Sequence, residues 1–149
     1  MSLSVRPVFT LHVDLAEPIE VGPVPGGHRR IIPITGGTVD GPELSGTILS
    51  GGADWNLTGT DGCARLWARY DFRTDDGAIV GVINEAVHPF SPPGGPAADP
   101  SSIAIITRPV FEASAGAPSW LNTGTFAGIL RIASPAQVNI EVFRLAVQS

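Results

Sequence analysis

From Cys63 to Arg73 the chain alternates with a strict period of two. Ala64, Leu66, Ala68, Tyr70 and Phe72 share one face, and Arg65, Trp67, Arg69, Asp71 and Arg73 the other. That is the period of a β-strand with two unlike faces. Thr74, Asp75, Asp76 and Gly77 supply turn chemistry, and a second apolar run follows from Ala78 to Val87, so the pair reads as a hairpin. Alternation does not say which face points inward. If the Leu66 and Tyr70 face is interior, Tyr70 becomes a ligand contact; if the other is, Arg69 and Asp71 form the polar centre.

The remaining sequence repeats this grammar of short apolar runs and breakers. Val8 to Val13, Arg30 to Thr35, Glu43 to Leu49, Ala53 to Leu57, Ile103 to Phe111, Phe126 to Ile132 and Gln137 to Val147 read as strands. Breaks fall at Pro18, Gly22 to Gly27, Gly36 and Gly37, and Gly51 and Gly52, with loops at Pro89 to Pro100 and around Gly116 to Pro118. The 18 glycines and 14 prolines are spread along the chain as turn punctuation. No segment carries a helical period. The expected fold is all-β, a single antiparallel up-and-down β-barrel of about eight to nine strands, lipocalin-like or allene-oxide-cyclase-like in outline. Residues 1–149 are read as one domain, with residues 1–7 a flexible N-terminus or a cloning scar.

Several function classes are excluded by what the chain lacks. A net charge of −5 without a basic cluster argues against nucleic acid. With no lysine there is no Schiff base, lysine-anchored pyridoxal or P-loop. Cys63 is the single cysteine and reads as a small buried hydrophobe, so no intramolecular disulfide forms and a cytoplasmic location is expected. Ser4, Arg6, Pro7 and Asp14 interrupt any signal or membrane-spanning segment near the start. His12, His28 and His88 fall on separate elements, without metal-ligand spacing, and neither GxSxG nor a dinucleotide fingerprint is present. No metal, cofactor, nucleic acid or membrane is therefore expected.

The candidates that remain are polar and aromatic. Asp54 follows two glycines and precedes Trp55; beside an indole it is a general base, alone it is an Asx-turn residue. Arg108 and Glu112 interrupt an apolar strand and either pair to orient a carboxylate or enolate or stand as edge charges. Tyr70, the single tyrosine, needs a partner for its hydroxyl if buried, and Asn84 shares a face with Val80 and Val82. Trp120 with Asn122 is suited to closing a barrel mouth. The expected catalytic set is Asp54, Arg108 and Glu112, and the expected ligand contacts are Trp55, Tyr70, Asn84, Trp120 and Asn122.

Three segments, GGTVDGPELSGTILSGGADW, LWARYDFRTDDGAIVGVINEAV and TRPVFEASAGAPSWLNTGTFAG, resemble the DUF3237 family, also called UPF0311, from about Thr35 to the C-terminus. The resemblance implies a small β-barrel and carries little functional information. Asp54, Tyr70, Asn84, Arg108, Glu112, Trp120 and Asn122 match its recurrent positions, whereas the long Pro89 to Pro100 stretch departs from it. Three functions fit. One is a cofactor-independent acid/base enzyme (isomerase, cyclase, lyase or hydrolase) acting on a small carbonyl or aromatic compound in the barrel cavity. The others are an intracellular carrier of an apolar ligand and a structural, oligomer-forming domain. Trp67 among arginines suits either a homo-oligomer interface anchored with Arg69 or an exposed cation–π stack.

Overall fold

The computed structural model describes residues 1–89 and 99–149. Ten antiparallel strands form one sheet: β1 (Ser2–Leu15), β2 (Ile19–Val24), β3 (Gly27–Asp40), β4 (Gly46–Ile48), β5 (Gly52–Gly59), β6 (Cys63–Thr74), β7 (Ile79–Pro89), β8 (Ala104–Ala113), β9 (Thr125–Ser134) and β10 (Gln137–Gln148). A 3-10 turn covers Pro100–Ser102, and a four-residue helix, α1, covers Trp120–Thr123. Of the expected Pro89 to Pro100 loop, residues 90–98 lie outside the described residues.

The sheet closes on itself through β1. Leu11 stands opposite Ile140 of β10 on one side and Val39 of β3 on the other. β4 and β5 share one place in the ring, since both lie between β3 and β6, and β2 takes over from β1 beside β3. Ten strands less these two shared places leave eight positions around the barrel. The strand missed in the sequence is β2, whose Gly22 and Pro23 read as a break; among the described residues β2 pairs with β3 on one side only, and proline is tolerated there.

Two other expectations need correction. Residues 2–7 are not a flexible tail: they lengthen β1 and pair residue for residue with β10, from Ser2 opposite Gln148 to Pro7 opposite Phe143. Gly36 and Gly37 do not make a turn but lie inside β3, where a Cβ on Gly37 would meet the His12 carbonyl oxygen at 1.9 Å. Glycine is needed there so that β1 can approach.

Inside the barrel the two ends differ. Phe9, Phe72, Phe111 and Phe126 meet edge to face, with ring centres 6.0, 5.5 and 5.1 Å apart in sequence around the cluster. Together with Leu121 of α1, Val39, Val80 and Val142 they plug one end. On β6 the buried face is that of Ala64, Tyr70 and Phe72, so the arginines point outward. The interior question left open by the alternation is thus settled in favour of Tyr70.

Candidate active-site cavity

Beyond the plug the barrel is hollow. A cavity of about 1070 Å³ opens at the end where β1, β5, β7 and β9 finish and β3, β6, β8 and β10 begin. Val13, Ile34, Leu66, Ile105, Leu130 and Ile140 make its aliphatic walls. Into these walls the strand alternation sets a few polar side chains: Arg30, Asp54, Asn56, Tyr70, Asn84, His88 and Thr107.

Asp54 is placed by an interruption in the β5–β6 ladder. Pairing holds at Asp54 with Ala68 and resumes at Leu57 with Arg65. In the gap, the Trp67 N–H donates to Asp54 Oδ1 at 2.9 Å, a carboxylate taking the place of a ladder carbonyl. Asn56 Nδ2 donates to Oδ2 at a long 3.5 Å. Burial pushes the Asp54 pKa above its ordinary value; the Trp67 and Asn56 hydrogen bonds and the charges of Arg30 and Arg29 offset only part of that push. The result is a carboxyl group moved toward neutrality within an apolar lumen.

Asp54 and Asn84 flank Ala68 on the inner face of the sheet. Ala68 stands opposite Asp54 on one side and opposite Asn84 on the other. At the usual strand spacing their Cα atoms are about 10 Å apart, and the alanine methyl leaves the space between them open. Burial holds the Tyr70 hydroxyl well above its ordinary pKa, so it acts as a neutral phenol.

The cavity gathers Asp54, Tyr70 and Asn84 from the expected set and leaves the others outside. Arg108 and Glu112 are exposed on the outer face of β8, because Thr107, Pro109 and Phe111 take the inner positions. Arg108 lies 3.9 Å from Glu85 in a solvent-exposed pair, and Glu112 stands opposite Gly81. Trp55 faces outward and packs edge to face on Trp67 at 5.7 Å, in a surface groove shared with Arg29, Arg65 and Arg108. Trp120 sits at the plugged end, tilted on Phe126 at 6.0 Å with the Arg144 guanidinium 5.5 Å from its ring. Asn122 clamps the β8 backbone, accepting from Ala113 N at 2.7 Å and donating to Ala113 O at 3.1 Å. Neither Trp120 nor Asn122 closes the mouth.

Arg30, Asn56 and Thr107 are cavity residues that the sequence reading missed. Asn56 was within reach: once Asp54 faces inward, the residue two further along the strand does too. Among the described residues no group of three His, Cys, Asp or Glu side chains stands close enough to hold a metal ion. No helix among them is long and apolar enough to cross a membrane.

The ring of strands, the aromatic plug and the open lumen define an up-and-down β-barrel with one blind end. The chain belongs to the family described as protein of unknown function DUF3237, whose profile matches residues 3–145. It is 37 % identical over 134 residues to a UPF0311 protein of Rhodopseudomonas palustris, covering 85 % of this chain and 87 % of that one. The crystal structure of a conserved R. palustris protein of unknown function matches with a TM-score of 0.83 at 36 % identity, covering 98 % of this chain and 99 % of that one. A β-barrel-like protein of Acinetobacter baumannii matches with a TM-score of 0.86 at 32 % identity, covering 98 % of both chains. A hydroalkoxylation enzyme of Penicillium herquei is 32 % identical over 95 residues, covering 64 % of this chain and 52 % of that protein.

Proposed function

We propose that this barrel binds a small, largely apolar molecule and performs acid–base chemistry on it, with Asp54 as the proton-transfer group. The observation that carries the reading is the position of Asp54: a carboxyl inside an apolar cavity, with its pKa raised by burial. The relative from P. herquei supports the reaction type. Hydroalkoxylation adds an O–H across a carbon–carbon double bond. The hydroxyl loses its proton, its oxygen bonds to one alkene carbon, and the other carbon takes up a proton. Nothing is oxidised or reduced and no group leaves. One carboxyl that accepts the first proton and returns one to carbon is sufficient, and it works best with a pKa near the working pH. Arg30 and Asn56, which stand opposite one another at the cavity wall, take the charge-stabilising part in this reading.

The test is turnover of a panel of hydroxyl-bearing alkenes and enones in D₂O. The expected product is an isomer of the substrate carrying solvent deuterium on carbon. Asp54→Asn should slow its formation by about 10²–10⁴-fold, the usual worth of a positioned acid–base group. Undiminished turnover in Asp54→Asn would remove Asp54 from the chemistry. A second reading, a carrier for an apolar ligand, is favoured by the aliphatic walls; it predicts tight binding across the panel with no deuterium incorporated.

A further inference from the structure

Three polar side chains of the cavity have no part in the Asp54 chemistry. Tyr70 on β6, Asn84 on β7 and Thr107 on β8 line its inner end, beside the aromatic plug, and are only 2, 4 and 1 % exposed. Among the described residues, Tyr70 Oη, Asn84 Oδ1 and Thr107 Oγ1 find no hydrogen-bond partner. Their positions are related. Tyr70 stands opposite Val82 and Asn84 opposite Ala68, which makes Asn84 the diagonal neighbour of Tyr70. Asn84 also stands opposite Pro109, which makes Thr107 its diagonal neighbour in turn. Diagonal neighbours on one sheet face lie about 7–8 Å apart at the backbone, so the three side chains form one patch.

Buried oxygens without partners are costly, and a wall selected for stability alone would carry valine and phenylalanine at these places. The wall instead makes room for one of them. Gly128 stands opposite Thr107, and a Cβ there would lie 2.4 Å from Thr107 Oγ1. Gly128 is not among the glycines with positive φ, so space explains it where backbone conformation does not.

We infer that Tyr70, Asn84 and Thr107 form an oxygen-recognition subsite at the blind end of the lumen, which holds the hydroxyl or carbonyl of a neutral ligand whose apolar body lies along the walls above. The inference rests on reading the cavity as a small-molecule site and adds the ligand's chemistry and orientation. A carbonyl accepts from the Tyr70 and Thr107 hydroxyls, and a ligand hydroxyl donates to Asn84 Oδ1. The patch contains no charged group, so a carboxylate or ammonium ligand would be desolvated there uncompensated. The oxygen end enters first, which brings the adjacent part of the ligand level with Asp54 across Ala68.

A matched pair of probes, 2-acetylnaphthalene and 2-ethylnaphthalene, tests this by titration calorimetry. They share a shape and differ in one oxygen. The unmodified protein should prefer the ketone by about tenfold, the worth of one or two net hydrogen bonds. Tyr70→Phe and Thr107→Val should each lower that preference without lowering the melting temperature, while Thr107→Ser, which keeps the hydroxyl, retains it. Equal affinity for both probes in the unmodified protein, failure of both to bind, or a preference that survives in Tyr70→Phe and Thr107→Val would each overturn the inference. Asp54→Asn separates this result from the catalytic reading. A preference kept in Asp54→Asn supports the subsite whether or not Asp54 proves catalytic, whereas a preference lost there assigns the recognition to Asp54 and not to the patch.

Discussion

The two ends of this barrel are made of the same strands and do opposite things. At the plugged end, Phe9, Phe72, Phe111 and Phe126 interlock, with Phe72 and Phe9 0 and 1 % exposed. At the open end the inward positions of the same strands carry Ile32, Leu66, Ala64 and Ile132, residues too small or too few to meet across the lumen. Closing a sheet of this size leaves an interior that side chains can just fill, so whether a given level is solid or hollow depends on side-chain volume alone. Stability is concentrated at one end, which frees the other to hold polar groups that a packed core would not tolerate.

The sharpest way to break that contrast is to hollow the plug. Phe111 is 5 % exposed and touches both Phe9 and Phe126. Phe111→Ala should cost about 3–5 kcal/mol in urea denaturation, since the neighbouring rings cannot collapse onto the void. Ile132→Ala, on the lumen wall, should cost less than about 2 kcal/mol, because its inner side has little to lose. Equal losses at the two sites would mean that the lumen wall is as tightly supported as the plug.

A smaller effect concerns charge in the hollow end. The Asp54 pKa is raised in the folded protein, so the folded state binds that proton more tightly than the unfolded chain does. Stability therefore falls as pH rises from the unfolded to the folded pKa, and the deficit is complete above the latter. Asp54→Asn should melt higher than the unmodified protein at neutral pH, and the gap should close below the ordinary carboxylate value of roughly 3.9. A gap that stays constant with pH, or an Asn variant that melts lower at neutral pH, would show that Asp54 stabilises the barrel through its Trp67 bond and is not held there at a cost.

Much of this was visible in the sequence, and the failures have identifiable causes. The β6–β7 hairpin could be read because one of the β6 faces is apolar and the other charged, so the period of two announces itself; Tyr70 and Asn84 followed from it. On β8 the signal fails. Ile106 and Val110 are apolar yet 72 and 64 % exposed, while Thr107 and Pro109 point inward. With apolar residues on both faces, alternation carries no parity, so the sequence points to Arg108 and Glu112 and passes over Thr107. Trp120 and Asn122 sit in a helix of four residues, too short to show a period, and their partners, Arg144 and Ala113, are set by the fold. Asp54 could be proposed but its environment could not, because the ladder gap that lends it the Trp67 amide has no sequence signature.

Arg108 gives the smallest effect and the cleanest check on where the site ends. Its side chain is 63 % exposed, and its guanidinium lies 3.9 Å from the carboxylate of Glu85, a side chain itself 46 % exposed. Water screens such a pair and the geometry is loose, so Arg108→Ala should change stability by no more than about 0.5 kcal/mol in either direction. Being on the outer face, it should also leave turnover and probe binding in the lumen as they were. If Arg108→Ala instead slowed turnover tenfold while the protein stayed folded, the chemistry would belong to the outer groove with Trp55 and Trp67. The contrast between a solid and a hollow end would then describe the packing of the barrel but not the location of its function.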